Sequence, residues 1–314
     1  MPAPPARSSA SYTTENIVAA DVSPTEDFEA FRPLLFGVAY RMLGSASDAE
    51  DAVQETWLRW HGATGIEAPQ AWLIRVVTNI CLDQLRSARV RREEYVGPWL
   101  PEPVLTGESV DDPLAAVQRR ELLSLGALRV LERLSPRERA ALVLHEGLGL
   151  SHAEVATALG ATEAASRQLL ARARRRLPAD LRAPGGRRAD PTEHRRLTEA
   201  MVAAFDSGDL TPLLALLHED IQLVSDGGGQ VRAALRPIQG AGKVLRFLAG
   251  LHEREGARLA MSAVEVNGLP GLLVTEAGVP VAVVTQQLST GRATELLFVV
   301  APGKLAAVRR QRGL

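Results

Sequence analysis

Ser151-His152-Ala153-Glu154-Val155-Ala156-Thr157-Ala158-Leu159-Gly160-Ala161-Thr162-Glu163-Ala164-Ala165-Ser166-Arg167-Gln168-Leu169-Leu170-Ala171-Arg172-Ala173-Arg174-Arg175-Arg176-Leu177 decides how the 314-residue chain is read. Ser151 and Glu154 form a capping box, in which the hydroxyl meets an N3 amide and the carboxylate returns to the cap amide. Gly160 ends that short helix, and Thr162 can cap a second one over Glu163–Leu177. A helix, a tight turn with Gly and a second helix place the second helix in a major groove. Val155, Leu159, Leu169, Leu170, Ala173 and Leu177 fall on the inward side. Glu163, Ser166, Arg167, Arg172, Arg174, Arg175 and Arg176 are assigned to the open side. Residues near the helix start suit base edges, and the later arginines suit phosphates. The competing reading is a helical hairpin with a solvated Arg face.

Upstream, Ser23-Pro24-Thr25-Glu26, Ser47-Asp48-Ala49-Glu50 and Ser135-Pro136-Arg137-Glu138 repeat the capping box. They predict a first helix ending at Gly44 and a second over about Asp48–Trp60. The second carries Ala49, Ala52, Val53, Trp57 and Trp60 inward, opposite an acidic face of Asp48, Glu50, Asp51, Gln54 and Glu55. A third helix is predicted from Pro69 to about Arg92. Its arginines, with Trp72 and Asn79, could hold phosphates and an unstacked base, although Trp72 and the apolar run are more often core. Pro98, Pro101, Pro103, Gly107 and Pro113 read as an extended linker. After Thr192, two amphipathic helices precede Val- and Leu-rich runs at Ile221–Ser225, Leu259–Val266, Leu272–Thr275, Val281–Gln287 and Glu295–Val300, which read as strands.

Net charge is −1, so a nucleic-acid surface must come from local clustering of Arg. Cys81 is the single cysteine, which excludes an internal disulfide and a Cys-ligated zinc site. No metal site and no cofactor are expected. No run approaches the length of a membrane span, and no leader is evident. The expected location is cytoplasmic.

Together these residues resemble the extracytoplasmic-function sigma factors. Asp48–Arg59 resembles the region 2 helix that docks on the β-prime clamp of RNA polymerase core, with Asp48, Asp51, Gln54 and Glu55 as the docking residues. Ala71-Trp72-Leu73, Asn79 and Asp83–Arg86 resemble the helix that opens and reads the −10 element. For this chain that implies Trp72, Arg75, Asn79, Arg86 and Arg89. Leu131–Arg139 and the helix-turn-helix resemble region 4, which reads the −35 element of promoter DNA. Tyr95–Pro103, Asp226-Gly227-Gly228-Gly229 and Asn267–Gly271 resemble the subgroup with a C-terminal SnoaL-like domain. That subgroup's closing Asn-Pro-Asp-Lys-Leu-like segment is here Ala301-Pro302-Gly303-Lys304-Leu305.

The implied fold is multidomain: two all-α sigma modules, then an α+β cone. The predicted boundaries are a tail at 1–22, region 2 at 23–96, a linker at 97–114, region 4 at 115–182, a linker at 183–192 and the cone at 193–314. Trp99, Pro101, Glu102, Asp226, Gly227, Gly228 and Gly229 are the expected regulatory residues, and the cone implies a pocket open to a small-molecule ligand. Asp226 is the one candidate for chemistry there, and a lone Asp before glycines is more often a turn residue. The alternatives are a polymerase-independent DNA-binding regulator, disfavoured by the acidic second helix, and an enzyme with its chemistry in the cone. The expectation is a sigma factor, not an enzyme, with activity set by the cone.

Overall fold

The computed structural model describes residues 24–93, 95–106, 124–177 and 191–314, with backbone alone at 24–27 and 88–93. The proposed tail, the Ser23 cap, residues 107–114 of the first linker and residues 183–190 of the second lie outside the described residues.

The first module is α1 (Pro24–Leu43), α2 (Ala46–His61) and α3 (Pro69–Glu93). On α1, Phe28, Leu35, Val38, Ala39 and Met42 are buried and Phe31 is half-buried. The cap of α2 is a correction. Ser45, not Ser47, caps it, and its side chain accepts from the Asp48 amide at 3.1 Å. The carboxylate that completes this cap comes from Glu102, far along the chain, and takes the Ala46 amide at 2.8 Å and the Ser47 amide at 3.2 Å. Local sequence spacing could not reveal it.

The second module is α4 (Leu125–Leu131), α5 (Pro136–Leu142), α6 (His152–Leu159) and α7 (Glu163–Arg176). Both capping boxes, at Ser135 and Ser151, form as predicted. Gly160 adopts the left-handed φ of 56° that ends α6 without a side-chain clash. Past α5 the chain widens to a π turn over Val143–Gly147.

The two modules share one buried core. Val77, Ile80, Cys81 and Leu85 of α3 join Leu142, Leu144, Val155, Leu159 and Leu170 in a single cluster. Arg139, itself buried, reaches from α5 to donate to the Met42 carbonyl at 2.5 Å and to Leu131 O at 2.9 Å.

The third module takes its edge strand, β1 (Leu105–Thr106), from the supposed linker. Its own segment begins with α8 (Pro191–Ser207), ahead of the expected start at 193. It continues through β2 (Leu217–Asp226), β3 (Ile238–Gln239), α9 (Ala241–Glu255), β4 (Leu259–Val266), β5 (Leu269–Glu276), β6 (Val279–Ser289), β7 (Arg292–Val299) and α10 (Ala306–Gln311). The sheet runs β1-β4-β5-β6-β7-β2-β3, antiparallel except for the parallel β7–β2 pair. Leu105 and Thr106 of β1 pair with Val266 and Glu265 of β4. Leu105–Thr106 of the supposed linker are therefore part of the cone's sheet rather than of a free tether. One face of the sheet packs under α8 and α9, and the other carries Leu100, Leu125, Leu305 and Val308.

Candidate nucleic-acid interface and its tie to the cone

On α7 the predicted inward stripe is buried throughout. Ser166 joins it and is 1% exposed. It sits one turn after Thr162 and one before Leu170, on the face turned toward α6, where His152 Nδ1 lies 3.1 Å from its hydroxyl. Ser166 is therefore structural and is not offered to DNA, which corrects its assignment to the open side.

Glu163, Arg167, Arg172, Arg174, Arg175 and Arg176 are exposed as expected. Four of these arginines already hold carboxylates. Arg176 meets Glu138 at 2.5 Å and Arg172 meets it at 3.4 Å. Arg174 pairs with Glu146, and Arg167 with Glu163. Burial pushes the Glu138 carboxyl up, but the Ser135 amide and hydroxyl and the two arginines outweigh it and hold it below its ordinary value. The pairs of Arg167 and Arg174 lie in solvent, whereas the two on Glu138 meet a buried carboxylate.

On α3, Arg75, Asn79 and Arg86 lie on the open face, and Arg86 pairs with Asp83 at 2.8 Å. Trp72 is half-buried and tilts against Trp60 with ring centres 5.9 Å apart. Arg89 lies in the part of α3 whose backbone alone is described. On α2, Asp51 and Gln54 are exposed, while Asp48 and Glu55 are half-buried. Leu58, 60% exposed, continues the Asp51–Gln54–Glu55 face at helical spacing. Sequence reasoning passed over it. A large apolar side chain left bare amid acids is its signal.

Of the expected regulatory residues, Trp99 and Gly227–Gly229 gather around Asp226, whereas Glu102 lies at the start of α2 and Pro101 beside Gly44. Asp226, fully buried at the end of β2, accepts from Tyr95 Oη at 2.6 Å, the Leu100 amide at 2.7 Å and Lys304 Nζ at 2.7 Å. It also accepts from the Gly228 amide at 3.1 Å, closing the turn. Lys304 donates in addition to the Leu100 carbonyl and lies 3.9 Å from the Trp99 ring centre. Burial pulls the Lys304 ammonium down, partly opposed by Asp226. Burial and the Asp226 carboxylate push the Tyr95 phenol up, so it stays a donor.

Glycine at 227 is required by close approach, since a Cβ there would lie 2.7 Å from the Val231 carbonyl. Gly228 and Gly229 hold left-handed φ of 60° and 69° against Tyr95 and Val96. Asp226 thus ties the linker to the cone and is no pocket acid. Tyr95 and Lys304 complete the tie and were not among the predicted site residues. Lys304 carried a signal, being one of two lysines in an arginine-rich chain.

Three further ties join the cone to the helices. Asn267, at φ 53°, donates to Tyr40 Oη at 2.7 Å and accepts from the Val104 amide at 3.2 Å. Arg310 of α10 pairs with Glu50 of α2 at 3.1 Å, and Arg129 of α4 pairs with Glu295 of β7.

A three-helix bundle with an acidic second helix and an arginine-bearing third, packed on a helix-turn-helix, is the architecture of a transcription-initiation factor of the sigma-70 type. The Sigma-70 region 2 family matches residues 28–91, and the Sigma-70, region 4 family matches residues 125–177. The chain is 46% identical over 258 residues to the ECF RNA polymerase sigma factor SigJ of Mycobacterium tuberculosis, covering 81% of each chain. It is 31% identical over 291 residues to the probable ECF RNA polymerase sigma factor SigI of the same species, covering 91% of this chain and 96% of the relative. The crystal structure of M. tuberculosis SigJ superposes with a TM-score of 0.73 at 38% identity, over 90% of this chain and 98% of that one.

The chain belongs to the extracytoplasmic-function sigma factors, which direct RNA polymerase core to specific promoters; it is not an enzyme. Among the described residues no helix is long and apolar enough to cross a membrane.

Proposed function

We propose that this sigma factor is held closed in its free form, with the Asp226–Lys304 tie fastening the linker that separates its two promoter-reading modules. The observation that carries this is the single core shared by α3 and the helix-turn-helix. The −10 and −35 elements lie roughly 25 base pairs apart, about 85 Å of duplex at about 3.4 Å per pair. Modules in van der Waals contact cannot read both, so they must separate on polymerase and promoter.

In this reading Asp48, Asp51, Gln54, Glu55 and Leu58 dock on the β-prime clamp. Arg75, Asn79, Trp72 and Arg86 receive the opened −10 strand. Glu163 and the arginines of α7 take the −35 duplex. The cone bears on both modules. Glu102 caps the docking helix from the linker, and Tyr95, Trp99, Leu100 and Gly227–Gly229 fix that linker to the cone. The cone's pocket would be the place at which a small molecule acts on this tie.

Run-off transcription with purified core tests the reading. Wild type should give promoter-dependent transcript, and Asp226→Asn should change its yield at equal folded protein. Equal yields would remove the tie from control while leaving the sigma assignment intact.

A further inference from the structure

Between the sheet and α8 and α9 lies a cavity of about 150 Å³ lined by thirteen side chains, all of them Met, Phe, Leu, Val or Ala. Phe205, Leu248, Met261, Ala282, Phe298 and Val300 show its character. No lining side chain can ionise or offer a strong hydrogen bond. Asp226, the sequence's candidate for chemistry, is turned to the linker instead. His252 packs edge-on against Phe205, with ring centres 5.0 Å apart, and is not among the lining residues. General acid or base catalysis therefore has no agent here.

A charged or strongly polar ligand would be desolvated without a partner, at a cost of several kcal/mol. An apolar cavity of about 150 Å³ stays dry and admits benzene.

Val300 connects this cavity to the tie. Its side chain lines the space, while its amide and that of Ala301 both donate to the Asp226 carbonyl at 2.9 Å. Phe298 pairs with Ser225, and Val299 with Asp226, in the parallel β7–β2 register. An occupant that shifts Val300 therefore moves the backbone of the residue whose carboxylate holds Tyr95, Leu100 and Lys304.

We infer that the cone cavity is a binding site for a compact, uncharged hydrocarbon group, and that its occupancy is passed through Val300 to Asp226 and the linker. The inference rests on the reading of the Asp226 tie as a control point.

The test is amide hydrogen exchange on the full chain with benzene as the probe and benzoate at equal concentration as the charged control. At ten times its dissociation constant, benzene should slow global exchange of the cone amides about tenfold, because only the folded state binds it. The amides of Val300, Ala301 and Leu100 should change by a factor different from the rest of the cone. Benzoate should do neither. Ala282→Leu should abolish the benzene response by filling the space, and Met261→Phe provides a second filled variant should the first fail to fold.

No saturable protection by benzene in the wild type would overturn the proposal. So would protection that leaves Val300, Ala301 and Leu100 in step with the other amides. Asp226→Ala in the same assay, which leaves the Leu100 amide no side-chain acceptor at this position, separates the two readings. If it frees the Leu100 amide while benzene does nothing, the tie stands and the cavity inference falls. If it leaves Leu100 unchanged, the tie falls with it.

Discussion

Replacing Asp226 by Asn removes one negative charge from a site with no exposed surface and leaves its shape unchanged. Lys304, 9% exposed, then keeps the Leu100 carbonyl but loses the carboxylate that neutralises it. The Asn side chain can present its oxygen to Tyr95 Oη or to the Leu100 amide, but its NH2 then confronts a donor. Removing one member of a buried, hydrogen-bonded ion pair costs about 3–5 kcal/mol. The lowered pKa of Lys304 limits the loss, because the amine can shed its proton rather than remain buried as a lone cation.

The expectation is a destabilisation of about 3 kcal/mol, near the lower end of that range. The assay is urea unfolding of wild type, Asp226→Asn, Lys304→Met and the double variant. The cycle should return a coupling of about 1–3 kcal/mol between the two sites. A coupling below about 0.5 kcal/mol, the additivity seen for independent sites, would refute the reasoning.

Glu102→Ala strips two amides at the start of α2 of their acceptor and should cost about 1–3 kcal/mol in urea unfolding, more than an exposed cap does. Arg174→Ala with Arg175→Ala should weaken duplex binding and flatten the log–log salt dependence by roughly 0.9 for each phosphate no longer neutralised, measured by anisotropy at several salt concentrations. Glu146→Gln releases Arg174 from its pair and should raise duplex affinity by up to about fivefold, the equivalent of a strong exposed ion pair. Burial, His145 and Arg167 lower the His152 pKa below its ordinary 6.5. Folded protein therefore binds fewer protons there than unfolded chain, and stability should fall as pH drops through about 6.5. His152→Gln should shrink the difference between urea midpoints at high and low pH.

Local signals were legible. The Ser135 and Ser151 boxes, Gly160 and the stripe from Val155 to Leu177 each depend on residues within a few positions, and all formed. Strand β4 matched its expected span because its run of apolar residues has clear ends. What escaped was decided by distant partners. Ser45 rather than Ser47 caps α2 because Glu102 lies against that end of the helix. Ser166 reads as open by polarity but faces α6, where His152 awaits it. The linker reads as a tether by its prolines, yet Leu105 and Thr106 complete a sheet edge whose partner lies about 160 residues away. Asp226 reads as a turn residue and is one, through Gly228, but its other oxygen contacts come from residues 95, 100 and 304. α9 and α10 went unread as well.

The closed form is the central claim, and a distance measurement tests it most directly. Cys81 is fully buried, and burial pushes its thiol up, so it stays inert to labelling. Dyes attached through Gln70→Cys on α3 and Gln168→Cys on α7, both exposed positions, then report the separation of the two modules. The account predicts high energy transfer in the free chain and low transfer in the complex with polymerase core and promoter. Low transfer already in the free chain, or high transfer retained in the promoter complex, would contradict it.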